Sequence, residues 1–462
     1  MDSLLSAPDQ WAQGEFGFAQ LGDSRRTKRL VMVAAALAAN PGGTLPSAFP
    51  DWSELKAAYR FLDNRAANFE NVIGPHLERS RAKCRQPGEF LILEDTTLLD
   101  YSCQAVSPKL GAIGNGVGRG FELHSALAVR VESWTLEQRP EGALVGLVGQ
   151  RCEKPRPRRK GEKESERWHR PRKSQRWAAA LKQLGAPPAG CFWTYVADRE
   201  ADFYEPIELC QAHGIDCVIR ARHDRRLAED GGHLYEALAR APMIGQMTVE
   251  LRARPGQAAR TAIVEVRTMC ADFDGPWRLG GWRAPLRGIN VVEVREVHAP
   301  EAVTQPLHWI LLTSLSCSSW VEVQRVVGRY AARWWIEEYH KALKSGAGVE
   351  NSQLESPERL EALVAVLAVV AVRLLSTKLL ARSRPEGVEA VESFAQEALE
   401  ILEKRFGRPK AGWNNQNLLV ATARLGGFLA RKGDGMPGWQ TIWRGWHRLM
   451  WMCEGAEILN RA

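Results

Sequence analysis

Residues 362–372 are eleven consecutive apolar side chains, ALVAVLAVVAV, inside the longer segment SPERLEALVAVLAVVAVRLLSTKLL at 356–380. A helix that is apolar on every side cannot lie on a protein surface. Eleven residues also fall far short of the roughly 20 that span a bilayer. The chain must therefore build a core around this segment, and no membrane association is expected. Its 462 residues allow about three domains at roughly 150 residues each. With 45% hydrophobic and 25% charged residues it is globular, neither disordered nor fibrous. The opening MDSLLSAPDQ lacks a basic stretch followed by an apolar core, so no secretory leader is expected. The nine cysteines are scattered, odd in number and never spaced CxxC. That argues against a zinc site or disulfide framework and for a reducing, cytoplasmic setting. No GxxxxGK[ST] occurs, and the glycine-rich GAIGNGVGRG at 111–120 lacks an apolar strand just before it, so a nucleotide loop is not expected.

The net charge of +8 points to a polyanionic partner, but its placement says more than its size. Residues 151–177 hold 12 basic and 4 acidic residues, a net +8, so the remaining 435 residues sum to zero. Three prolines and no apolar periodicity make the first half of this segment a loop. A second basic spot follows the cap-like Asp23: Arg25, Arg26, Lys28 and Arg29 precede an apolar stretch. Arg25 and Arg29 are four apart and share a helix face. Such a helix can dock its apolar side and offer its basic end to phosphates.

Acidic residues recur where strands are expected to end. FLILEDTTLLD (90–100) predicts a buried strand over 90–93 that delivers Glu94 and Asp95 at its C-terminal end. HSALAVRVES and ALVGLVGQ add two strands and suggest an antiparallel meander. CFWTYVADREADFYEPI (191–207) is a strand with Asp198 at its end, and CVIRARHDRR (217–226) is a buried strand that turns basic. Residues 227–319 are β-rich and read as an inserted subdomain. From 320, WVEVQRVVGRYAARWWIEEYHKALKSGAG keeps helical period as far as Gly346. On one continuous helix, Tyr330, Arg333, Glu337 and Lys344 would fall within a sector of about 60°, with Lys341 beside them. Two aspartates and a glutamate without His or Cys suit hard cations such as Mg²⁺ or Mn²⁺. Two such ions about 4 Å apart serve in-line phosphoryl displacement. Near the C-terminus, Trp439, Trp443, Trp446 and Met450 lie at helical spacing and read as a packing or dimer face.

These residues resemble the bacterial DDE transposases of the insertion-sequence-4 family, most closely its transposon-five branch. Tyr330, Arg333, Glu337 and Lys344 match that family's Tyr-x2-Arg-x3-Glu-x6-Lys signature. ILEDTT (92–97) matches the first-aspartate strand and VADREAD (196–202) the second. LGDSRRTKRL (21–30), AAYRFL (57–62), EKES (162–165), PLHWILLTS (306–314), WIEEYHKALKSGAG (335–348) and ARLGGF (423–428) follow in the same order. The segment 153–177 is more basic and proline-rich than its counterpart, and the loops between 224 and 300 differ, so end-sequence preference does not carry over.

The resemblance implies an α/β fold: an RNase H-like core of mixed sheet and helices, interrupted by a β-rich insertion, with helical N- and C-terminal domains. The expected boundaries are 1–70 for DNA binding, 71–226 and 320–380 for the core, 227–319 for the insertion and 381–462 for dimerisation. Asp95, Asp198 and Glu337 would be catalytic and hold two Mg²⁺ or Mn²⁺ ions. Arg25, Arg26 and Arg29 would contact the transposon end, and Trp309 would stack on a flipped base. Tyr330, Arg333, Lys341 and Lys344 would grip DNA near the cut, with Arg220 and Arg222 beside the active site. The implied activity is cutting at terminal repeats, through a hairpin intermediate, and joining of 3′ ends to target DNA. The protein would work as a homodimer on paired double-stranded DNA ends in the bacterial cytoplasm, at the nucleoid. The basic 151–177 segment is expected along end or flanking DNA. Two alternatives stay open: a catalytically silent DNA-binding regulator of transposition, and a metal-dependent nuclease of the same fold.

Overall fold

The computed structural model describes residues 8–155, 173–228, 231–251, 259–278, 281–301, 303–392, 394 and 396–461. The longer helices of the N-terminal part are α1 (Pro8–Phe16), α2 (Ser24–Ala39), α3 (Trp52–Leu62) and α4 (Phe69–Cys84). Their starts are written in the sequence. Asp23, Asp51 and Asn68 each accept a backbone N–H of the first turn through the side chain, satisfying donors a helix start leaves open.

A ten-stranded sheet forms the centre. Its strands are β1 (Gly88–Asp100), β2 (Gly111–Ile113), β3 (Gly118–Trp134), β4 (Pro140–Glu153), β5 (Cys191–Ala197), β6 (Asp216–Arg220), β7 (Met243–Leu251), β8 (Arg260–Phe273), β9 (Leu286–Val297) and β10 (His308–Thr313). β1, β3 and β4 are the expected antiparallel meander. β5 adds parallel to β1 and β6 parallel to β5, with α6 (Tyr204–His213) as the crossover between those two. The sheet is mixed, as the α/β reading requires.

Two expectations need correcting. The first strand does not stop at residue 93; it runs on to Asp100, so Asp95 stands in mid-strand. The β-rich stretch is not a separate subdomain. β10 pairs with β6, and β9, β8 and β7 follow in hydrogen-bonded order, so these strands extend the core sheet. Their alternating apolar residues fit either arrangement, and the register of β10 against β6 decides.

Each face of the sheet has its own core. Leu91, Leu93 and Leu99 of β1 join the cluster that includes the N-terminal helices and α9 (Pro357–Ser383). Phe90 and Ile92 point the other way, toward Trp177 of α5 (Lys173–Trp177), Tyr204 and Ile207. This is the two-residue alternation of a strand buried on both faces. Helix α9 is long and apolar enough to cross a membrane over Pro357–Ala381, a stronger feature than its eleven-residue run suggests, yet 89% of its most apolar window is buried within the protein. It is a core helix. Leu375 is fully buried there, and Leu375→Ala is expected to lower unfolding free energy by about 2–5 kcal/mol, measured by denaturant unfolding.

The C-terminal helices are α10 (Gln396–Phe406), α11 (Asn415–Leu425) and α12 (Trp439–Arg461), following α7 (Trp320–Ala331) and α8 (Trp334–Lys341). The tryptophan stripe of α12 packs inward. Trp439 and Trp443 are buried and stack at 5.5 Å, and Trp446 meets Phe394 edge-on at 4.9 Å. Trp451, Met452, Ile458 and Leu459 are the exposed apolar side chains of that helix. Residues 156–172, the bulk of the basic segment and its EKES match, lie outside the described residues. Arg176, at the segment's end, is bound to Glu122 and Glu153 and fastens α5 to β3 and β4.

Candidate active site

The parallel pairing of β1 and β5 brings two acids together. Glu94 is opposite Ala197, so Asp95 and Asp198 each follow the last paired residues of neighbouring strands. Asp198 caps the 3-10 turn Arg199–Ala201 through the Arg199 N–H at 2.7 Å, and the Thr96 N–H donates to Asp95 at 2.8 Å. Glu337 comes from α8.

The expected continuous helix is broken. α7 ends at Ala331, a turn holds Ala332 and Arg333, α8 runs over Trp334–Lys341, and a π turn covers Ala342–Gly346. The stripe drawn on a straight helix therefore separates. Tyr330, Arg333 and Glu337 stay together, while Lys344 swings to the Leu98 carbonyl and Glu350, and Lys341 pairs with Glu338.

Arg333 sits among all three acids. Its guanidinium is 3.3 Å from Asp95 Oδ2, 3.8 Å from Asp198 Oδ2 and bonded to Glu337 Oε1. The Tyr330 hydroxyl donates to Asp198 Oδ1 at 3.1 Å, and Arg220 approaches the same oxygen at 3.8 Å while donating to the His308 carbonyl at 3.0 Å. Trp309 stands edge-on to Tyr330 at 4.8 Å. Arg222 is exposed, and its backbone N–H holds Asp202 at 2.6 Å. In the N-terminal helices Arg25 is exposed and paired with Asp23, Arg26 donates to the Leu21 carbonyl at 2.9 Å, and Arg29 is bound to Glu54. These three lie away from the acids, on α2.

The electrostatics are those of a carboxylate surplus. Burial, aided by Asp198 and Glu337 and opposed by Arg333, pushes Asp95 up to about 6. For Asp198, burial also works against the charge, but Arg333, the Arg199 N–H, Arg220 and Tyr330 together hold it below the usual carboxylate range. A carboxyl raised on folding binds its proton more tightly in the folded state. Its stabilising effect is present below about pH 4 and is lost as pH rises toward 6. In chelator-treated protein, stability relative to Asp95→Asn should fall across that window by at most about 3 kcal/mol, followed by melting temperature against pH.

Behind Asp95 the opposite face of β1 carries a network that single-residue reading does not reveal. Buried Glu94 accepts from the Tyr195 hydroxyl and meets His124 Nε2 at 2.9 Å, while His124 Nδ1 reaches Thr96 Oγ1 at 2.7 Å. The strand on both sides of Asp95 is thereby fixed. ILEDTT shows the acid pair but not which of the two acids is buried.

Among the described residues no three His, Cys, Asp or Glu side chains close on one point as a ready metal cage. The donor set still suits a hard divalent cation, because three carboxylates converge on a single positive group. The arrangement gathers three carboxylates, Arg333, Tyr330 and Arg220 at one place on the mixed sheet, with Arg333 largely enclosed by the acids.

Comparison with known families matches three stretches of the chain. Residues 8–67 match the model described as transposase DNA-binding, 173–373 the transposase DDE domain and 369–461 the transposase Tn5 dimerisation domain. By this domain make-up the chain is a DNA transposase with a DDE catalytic domain and a Tn5-type dimerisation domain. The DDE match takes in Asp198 and Glu337 and begins after Asp95.

Proposed function

We propose that this transposase cuts a mobile element at its terminal repeats and joins the freed 3′ ends to target DNA, with a hairpin end as intermediate, in the manner of the insertion-sequence-4 family. The observation that carries this reading is the convergence of Asp95, Asp198 and Glu337 on Arg333, with Tyr330 and Arg220 alongside. Asp95, Asp198 and Glu337 would hold two divalent ions, Mg²⁺ or Mn²⁺. When bound, such ions activate the attacking oxygen and stabilise the leaving one.

This chain's own residues do the rest. Arg333, with five donors in a fixed fork, exchanges carboxylates for a DNA phosphate and orients it for in-line attack. Tyr330 and Arg220 keep Asp198 ionised and in place. Trp309, braced by Tyr330, offers a ring face to a base turned out of the stack; stacking recovers about 1–3 kcal/mol of the unpairing cost. Arg25, Arg26 and Arg29 on α2 read the element end, Lys341, Lys344 and Arg222 meet the backbone near the cut, and two copies hold two ends through their C-terminal domains. The domain boundaries proposed above fit these tasks, with the strands of 227–319 continuing the core sheet.

The test is a duplex carrying the element's own terminal repeat, incubated with protein and Mg²⁺. A free 3′-OH at the repeat boundary followed by a hairpin-capped end is the expected result. Binding with no cutting at all would favour a silent regulator.

A further inference from the structure

The acid next to Glu337 is buried and bound on three sides. Glu338 Oε2 accepts from Lys378 Nζ at 2.6 Å and from Trp439 Nε1 at 3.0 Å; Glu338 Oε1 accepts from Lys341 Nζ at 3.1 Å. Glu338 is only 4% exposed and Lys378 5%. Burying a carboxylate is costly unless it is paired and hydrogen-bonded, and here the pairing joins three segments. Glu338 belongs to α8, Lys378 to the core helix α9 and Trp439 to the first turn of α12. Lys378 also lies over the Trp439 ring at 4.2 Å.

A second contact joins the same partners. The π turn that ends the α8 segment leaves no room at Gly346: a Cβ there would stand 2.7 Å from the Trp443 ring. Trp443 in turn stacks on Trp439. One end of α12 is thus pressed on the helix that carries Glu337. Its other end bears the exposed Ile458 and Leu459, roughly 30 Å away along 23 residues at 1.5 Å each.

We infer that Glu338 is a positioning residue: with Lys378 and Trp439 it forms a strut that ties the dimerisation helix to the catalytic helix and so sets where Glu337 stands. Pairing of two copies through the distal part of α12 then bears on the acid triad through a stiff helix. This rests on the transposase reading. The strut acts on Glu337 and touches no substrate.

Three variants of the full-length protein test it. Trp439→Phe keeps the ring and removes the N–H. Glu338→Gln removes the negative charge that Lys378 and Trp439 bind. Glu338→Gln with Lys378→Met removes both charges of the buried pair. Each is measured for melting temperature, end binding, cutting rate per paired-end complex and the Mg²⁺ concentration giving half-maximal cutting. The melting-temperature gain produced by Mn²⁺ alone, without DNA, is also read.

We expect end binding within about twofold of wild type. For Trp439→Phe and the double variant the half-maximal Mg²⁺ should rise about tenfold, the size seen when the support of a metal ligand is lost. The Mn²⁺ shift should shrink in parallel, even where the double variant melts like wild type. Unchanged Mg²⁺ requirement and unchanged Mn²⁺ shift in folded Trp439→Phe and double variant would overturn the strut. If wild type does not cut, the transposase reading fails instead, and the DNA-free Mn²⁺ shift still decides on the strut.

Discussion

Asp198→Ala protein is expected to bind a terminal-repeat duplex as wild type does and to cut it at least about a thousandfold more slowly, about 4 kcal/mol of lost transition-state stabilisation. The size follows from what converges on Asp198. Tyr330, Arg220, Arg333 and the Arg199 N–H all spend a contact on this one carboxylate, and it neighbours Asp95 across the parallel strand pair. Removing it leaves two acids around Arg333. The fold should survive, because Asp198 lies outside the apolar cores and caps only a short turn. Single-turnover cutting beside a gel-shift titration separates the two effects. A cutting rate within tenfold of wild type would remove Asp198 from the chemistry.

Arg333→Ala is expected to slow hairpin formation by about 10²–10³-fold, the range for loss of one preorganised charged donor, while end binding changes less than about threefold. Arg333 is mostly buried between acids, so it contributes little to first contact with DNA. Its fork is positioned where phosphate and carboxylates compete. Without it Asp95, Asp198 and Glu337 face one another uncompensated, and the Asp95 carboxyl should rise further above about 6. Quantifying nicked, hairpin and bound species from one reaction gives the comparison. Equal loss in binding and hairpin formation would make Arg333 a binding residue only.

What could be read before the structure was the chemistry-bearing pattern. Strand apolarity followed by acids located Asp95 and Asp198, and helical spacing grouped Tyr330, Arg333 and Glu337. Straight-helix geometry then failed at Lys344, while Lys341 keeps its i,i+4 relation to Glu337 within α8. A turn at Ala332–Arg333 and a π turn at 342–346 change the phase, and no residue in that stretch announces either break. The apolar run of the strand carrying Asp95 stops at its acids, but the strand does not. Thr96 and Thr97 are good strand formers, and pairing with β3 carries the strand to Asp100.

Larger features were hidden for a different reason. Whether 227–319 stands apart or extends the sheet depends on β10 meeting β6, a contact between segments about 90 residues apart that local pattern cannot encode. The tryptophan stripe of α12 fitted packing or dimer contact equally well until Trp439 and Trp443 proved buried against α9 and the π turn. Glu338 carries no signal of its own in the sequence beside Glu337. Only the fold shows that Lys378 and Trp439, 40 and 101 residues away, reach it.

The most direct measurement is strand transfer. Element-end DNA with a labelled, pre-cut 3′-OH is mixed with a supercoiled plasmid, full-length protein and Mg²⁺, and the covalent product is sequenced. Plasmid joined to the element's 3′ ends, two ends per event, is the expected product, and none is expected with Asp198→Ala. A plasmid that is nicked or cut but never joined would contradict it and identify the acid triad as that of a nuclease.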